Sequence, residues 1–137
     1  MDRPEYLSSV RIPSKPSVAS KFIEELVESL KQSQYSSRVI FGIRLAVEEA
    51  LVNAVRHGND CKEDLEVDIR YTVGDDEFVI EVKDQGPGFN PDDVPDPTAP
   101  ENLERPCGRG ILLMRTYMTD CQFVPPGNVC QMRRIRE

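Results

Sequence analysis

"LEVDIRYTVGDDEFVIEVKDQGPGF", residues 65 to 89, carries the pattern on which the fold turns. Leu65, Val67, Ile69 and Tyr71 fall on one side of an extended chain, "GDD" supplies a reversal, and Phe78, Ile80 and Val82 return on the same side. Apolar residues at a period of two on both arms predict an antiparallel hairpin with one face to bury. The second arm then ends in more punctuation than a reversal requires: Asp84, followed by Gly86, Pro87 and Gly88 and by the aromatic Phe89.

What covers that face is read from the segments on either side. Upstream, Phe22, Ile23, Leu26, Val27 and Leu30 repeat at helical spacing within a helix expected over about 17 to 32, with Pro16 near its first turn and Ser14 or Ser17 as its cap. A second helix, about 37 to 57, presents Val39, Ile40, Ile43, Val47, Ala50, Leu51 and Ala54 and stops at Gly58-Asn59. A short strand is expected over 6 to 14. Downstream, "GRGILLMRTYM" (108 to 118) opens a third helix, and strands at about 119 to 124 and 128 to 135 flank Pro125-Pro126-Gly127. The expectation is a single α+β domain, residues 1 to 137, built as a two-layer sandwich with helices on one face of a mixed, mostly antiparallel sheet. Residues 90 to 107 hold five prolines and no periodicity, and are read as a lid.

Composition narrows the function classes. With 39% hydrophobic and 30% charged residues the chain reads as a globular domain, and no apolar run approaches the roughly 18 residues of a membrane span. The first ten residues lack a signal peptide's basic start and apolar stretch, so the expected location is the cytoplasm and the four cysteines are expected as reduced thiols. They form no C-x-x-C pair and His57 is the only histidine, which is poor material for zinc. A net charge of −7 argues against a nucleic-acid surface. Residues 74 to 104 hold ten acids against one lysine, whereas residues 105 to 137 hold six arginines against two acids. That asymmetry suits recognition of one compact anion.

Three short pieces carry candidate chemistry. Glu49 and Asn53 stand four apart on the second helix and therefore share a face, where a carboxylate can act as a base beside an amide oxygen that ligates a hard cation. A solvated helix edge explains the same pair. Asp84 can accept a hydrogen bond from an exocyclic amine, with Gly86 and Gly88 opening space against the backbone, although a capped turn has the same look. Gly108 and Gly110 lead into a helix whose first amides form a phosphate cradle, and Arg105 and Arg109 bring guanidinium forks to it, where an ordinary loop-to-helix junction would also serve.

In this order, "EEALVNAVRHGN", "DQGPGF" and "GRGILLMR" resemble the three nucleotide-binding boxes of the GHKL-type ATPases, the family of gyrase, Hsp90-type chaperones, histidine kinases and MutL. The resemblance implies the Bergerat ATP-binding fold, with ATP and Mg²⁺ as cofactors. It places Asp84 on the adenine amine, Gly86 and Gly88 against the base, Asn53 on Mg²⁺, and Gly108 and Gly110 along the triphosphate. The compact chain, without a transducer domain or a phosphoacceptor-histidine hairpin, is similar to the anti-sigma-factor serine kinases of bacterial partner switching. There the glutamate matching Glu49 activates a serine hydroxyl of an antagonist protein. Antagonist and sigma factor are the implied partners, a homodimer is a possible assembly, and neither nucleic acid nor membrane is contacted directly. The alternative is an ATP- or ADP-gated binding module that transfers no phosphate. His57 matches a position often occupied in the family, and its role, helix-end packing or catalysis, stays open, as does the direction in which Arg109 points.

Overall fold

Alternation at a period of two builds the centre of the sheet. Strands β2 (Glu66–Val73) and β3 (Glu77–Lys83) pair antiparallel with Ile69 opposite Val82 and Tyr71 opposite Ile80, so their apolar positions line one face. The computed structural model describes residues 6–60, 62–87, 109–125 and 127–136. Within them β1 (Ser8–Pro13) adds to the free edge of β2, β5 (Val129–Ile135) to that of β3, and β4 (Asp120–Val124) lies outermost. The order is β1-β2-β3-β5-β4, and each of these pairings is antiparallel.

Helices α1 (Pro16–Gln32), α2 (Ser37–Val52) and α3 (Arg109–Tyr117) form the second layer. Leu26 and Leu30 from α1, and Ile43, Val47 and Leu51 from α2, close over Val67, Ile69, Phe78 and Ile80, all at most 1% exposed. Each such side chain removed from water contributes about 1.5 to 3 kcal/mol, so this interdigitation is the main stabilising term. The result is the expected two-layer α+β sandwich.

The start of α1 differs from expectation. Its N-cap is Lys15, in extended conformation and without a side-chain cap, and Pro16 follows at the first helical position. Neither Ser14 nor Ser17 caps. Ser14 is 1% exposed and its hydroxyl donates to the Leu65 carbonyl at 2.8 Å, because the β1–β2 edge offers that hydroxyl a buried acceptor. Helix α2 does have a side-chain cap, the Ser36 hydroxyl accepting from Val39 N–H.

The chain between α1 and α2 is tied to the far end of the sheet. Gln34 takes a left-handed φ of 63°, Tyr35 donates its hydroxyl to the Gly74 carbonyl at 2.6 Å, and the Arg136 guanidinium lies 4.5 Å over the Tyr35 ring while donating to Ser33 O. Tyr35→Phe is expected to lower the unfolding free energy by about 1 kcal/mol, since the Gly74 carbonyl loses its partner. A urea midpoint equal to wild type at the same slope would show that the hydroxyl contributes nothing.

Helices α2 and α3 run in opposite senses. A Cβ on Gly42 would lie 3.2 Å from the Tyr117 ring, and one on Gly110 would lie 2.7 Å from Glu49 Oε2. The two missing side chains let the helices approach at both ends, and that approach brings the start of α3 to Glu49.

Candidate nucleotide-binding site

Helix α2 does not continue unchanged to His57. Its α-helical part closes at Val52, and Asn53–Gly58 form a single π-helical turn in which the Asn59 N–H reaches back to the Ala54 carbonyl at 2.9 Å. Asn53 itself keeps α-helical torsions and its N–H still points to the Glu49 carbonyl, so Glu49 and Asn53 share one edge of the helix, both half-buried. Beyond Asn53 the widened turn re-aims the chain. Arg56 and His57 are exposed there.

The cause of the widened turn lies across the molecule. Asn59 is 1% exposed: its amide donates to Ser14 Oγ at 2.8 Å and to Glu66 O at 3.0 Å, and its Oδ1 accepts from Gln85 N–H at 2.8 Å. With the helix end widened, Asn59 meets all three partners at once. Gly58 is thereby pressed on the Asp84 carboxylate, and Gly86 on the Gly58 carbonyl, so closely that a Cβ at either glycine would overlap its neighbour.

Asp84 is half-buried at the end of β3. Its Oδ1 accepts from Gly86 N–H at 2.7 Å. Burial pushes its carboxyl up from the ordinary range, and the Gly86 amide opposes that rise. Glu49 is likewise held above the usual carboxylate range, by burial first and by the neighbouring Glu48 second. Two carboxylates are therefore kept partly out of water, one at each end of the π-turn's approach. Gly58→Ala is expected to cost about 1 to 3 kcal/mol of stability, because the new methyl meets a carboxylate whose backbone is pinned. Unfolding of the variant at the wild-type denaturant concentration would show that the carboxylate can swing clear.

The placement of the other candidates is uneven. Gly86 adjoins Asp84, and Gly110, buried in the first turn of α3, adjoins Glu49. Arg109 is the first residue of α3. Gly88, Arg105, Gly108 and the lid at 90–107 lie outside the described residues. Gly58 and Asn59 close the first box but were given only the role of a helix stop, and Asn128 falls in no motif, yet all three touch Asp84 or its loop. Gly-Asn after an apolar helix reads as a stop signal, and no local pattern marks that the amide is buried. A separate groove of about 350 Å³ between α1 and α2, floored by Ile23, Leu51 and Val55, contains none of the candidate residues.

The described residues thus show two half-buried carboxylates, Glu49 of α2 packed on Gly110 at the start of α3, and Asp84 packed on Gly58 beside Gly86. The model of the histidine kinase-like ATPase domain matches residues 12–134. Among similar proteins, the serine-protein kinase RsbW of Listeria monocytogenes is 28% identical over 121 residues, spanning 84% of this chain and 77% of its own. The same-named protein of Oceanobacillus iheyensis is 26% identical over 120 residues, covering 83% and 76%. The anti-sigma F factor of Clostridium perfringens is 34% identical over 112 residues, covering 80% and 74%. A match across nearly all the described strands and helices, on a site built from their junctions, leaves one conclusion: the chain belongs to the histidine kinase-like ATPase domain family.

Proposed function

We propose that this chain is an ATP-dependent protein-serine kinase that also acts as an anti-sigma factor, phosphorylating a serine of a small antagonist protein in the bacterial cytoplasm. The observation that carries it is the contact between Glu49 and Gly110, which sets a carboxylate at the N-terminal turn of α3. Helix N-termini attract phosphate, so a base placed there stands where a terminal phosphate would meet its acceptor. The names of the similar proteins, serine-protein kinase and anti-sigma factor, support the same reading.

Each residue has a physical task. Glu49, its carboxyl held above the ordinary range by burial, accepts the serine proton as the hydroxyl attacks. Asp84 accepts from the adenine amine through the oxygen that Gly86 leaves unbonded, and Gly86 and Gly88 keep the backbone clear of the base. Gly108 and Gly110 border the triphosphate, with Arg105 and Arg109 supplying charge-assisted hydrogen bonds.

Asn53 would hold Mg²⁺ through its amide oxygen. The residue fits that role: Asn53 puts an amide oxygen on a half-buried helix edge, and such an ion would take its further ligands from phosphate and water. When bound, the ion neutralises charge on the transferring phosphoryl group.

Incubation with γ-labelled ATP and each candidate antagonist encoded nearby tests the proposal. Label on an antagonist serine is the expected result. Nucleotide-dependent capture of the partner with no label on it overturns the kinase assignment in favour of a nucleotide-gated binding module.

A further inference from the structure

We infer that Asn59 and Asn128 are positioning residues that aim the Asp84 carboxylate, and that they thereby set how strongly the site prefers purine nucleotides bearing an exocyclic amine. The inference rests on the reading of Asp84 as the base-recognising group.

Hydrogen bonds restrain the peptide planes on both sides of Asp84. The Asp84 N–H donates to the Asn128 carbonyl at 3.0 Å, continuing the β3–β5 ladder one step past Lys83 and Val129. The Asp84 carbonyl accepts from the Asn128 side-chain amide at 3.0 Å, and the N–H of the same peptide unit, that of Gln85, donates to Asn59 Oδ1 at 2.8 Å. The peptide plane before Asp84 is therefore held at one point and the plane after it at two. The main chain of residue 128 holds the plane before Asp84, and the two asparagine side chains hold the plane after it. The bond from Gly86 N–H to Oδ1 then fixes the side-chain rotation and leaves Oδ2 for a donor.

The choice of asparagine is chemical. The Asn59 amide uses both of its N–H groups, on Ser14 and Glu66, and its oxygen on Gln85. An aspartate has no donors for the first two, and an apolar residue would leave the Ser14 and Glu66 acceptors without this amide. Because Ser14 lies at the β1–α1 junction and Glu66 begins β2, the loop is referenced to rigid elements. A hydrogen bond to a ligand discriminates only when its acceptor is held in place beforehand.

Calorimetric titration of the full chain with Mg-ADP and with the Mg complex of purine riboside diphosphate, which lacks the exocyclic amine, reads this directly. Wild type is expected to prefer ADP by about tenfold. Asn59→Ala and Asn128→Ala are each expected to reduce the preference to about threefold or less while affinity for the amine-free nucleotide stays within about twofold. Adding Asp84→Asn to Asn128→Ala should remove little further selectivity, since both act on one hydrogen bond. If Asn59→Ala does not fold, Asn128→Ala, in a half-buried turn, decides the question. Variants that keep the wild-type ratio, or that lose both nucleotides in parallel, overturn the positioning role. Equal binding of both nucleotides by wild type instead overturns the reading of Asp84, and the inference with it.

Discussion

Glu49→Ala is expected to transfer phosphate to a serine acceptor about 10² to 10⁴ times more slowly than wild type, the usual contribution of a positioned base. Nucleotide binding should stay nearly intact, because Glu49 meets the start of α3 while the proposed adenine contact is made by Asp84 and its loop. The pH profile supplies a second reading. Only the ionised carboxylate accepts a proton, so wild-type transfer should rise with pH through the elevated pKa of Glu49, at higher pH than an ordinary glutamate would give. Glu49→Gln should lose that limb along with the rate. Single-turnover transfer measured across pH checks both. Equal rates for wild type and Glu49→Ala at saturating nucleotide would remove Glu49 from the mechanism. Asn53→Ala should differ by damaging binding and transfer together, since a metal held there touches the phosphates in both.

Asp84→Asn is expected to weaken adenine nucleotides by about 1 to 3 kcal/mol, as an amide presents N–H groups where the purine amine needs an acceptor. The same change should stabilise the protein without ligand. Burial raises the folded-state pKa of Asp84, the reverse of the usual paired carboxylate, so its ionisation costs stability. That cost is absent below the unfolded-state value near 3.8, develops as pH rises through the raised folded-state pKa, and is complete above it. The melting temperature of Asp84→Asn should therefore exceed that of wild type at neutral pH, and the gap should close on acidification. A gap that is constant with pH would show that the carboxylate is not carrying this penalty. Weaker binding joined to higher stability is the mark of a group kept for its ligand.

What the sequence by itself determined is local. Period-two alternation in 65–82 and helical spacing in 22–30 and 39–54 sort each side chain to one face, and burial of that face follows wherever a second layer exists. Hence Val67, Ile69, Phe78 and Ile80, and Leu26, Ile43 and Leu51, lie in the core as their spacing requires. The hairpin register followed from the two-residue period, since a one-residue slip would turn the apolar set outward. Asp84 at the end of a strand, and the shared face of Glu49 and Asn53, were legible for the same reason.

Tertiary structure decided the rest, because a polar group's partner depends on which distant segment closes over it. Ser14 had the composition of a cap and became a buried link between β1 and β2. Residues 53–58 had helical spacing, but in the fold they form a π-turn, after which Asn59 meets Ser14, Glu66 and Gln85. Gly58 and Gly110 are needed at carboxylates contributed by other elements, so neither need is visible in its neighbours along the chain. Periodicity is a property of one segment's backbone, whereas the aim of Asp84 depends on hydrogen bonds from the end of α2 and the β4–β5 turn, which only the folded chain brings to it.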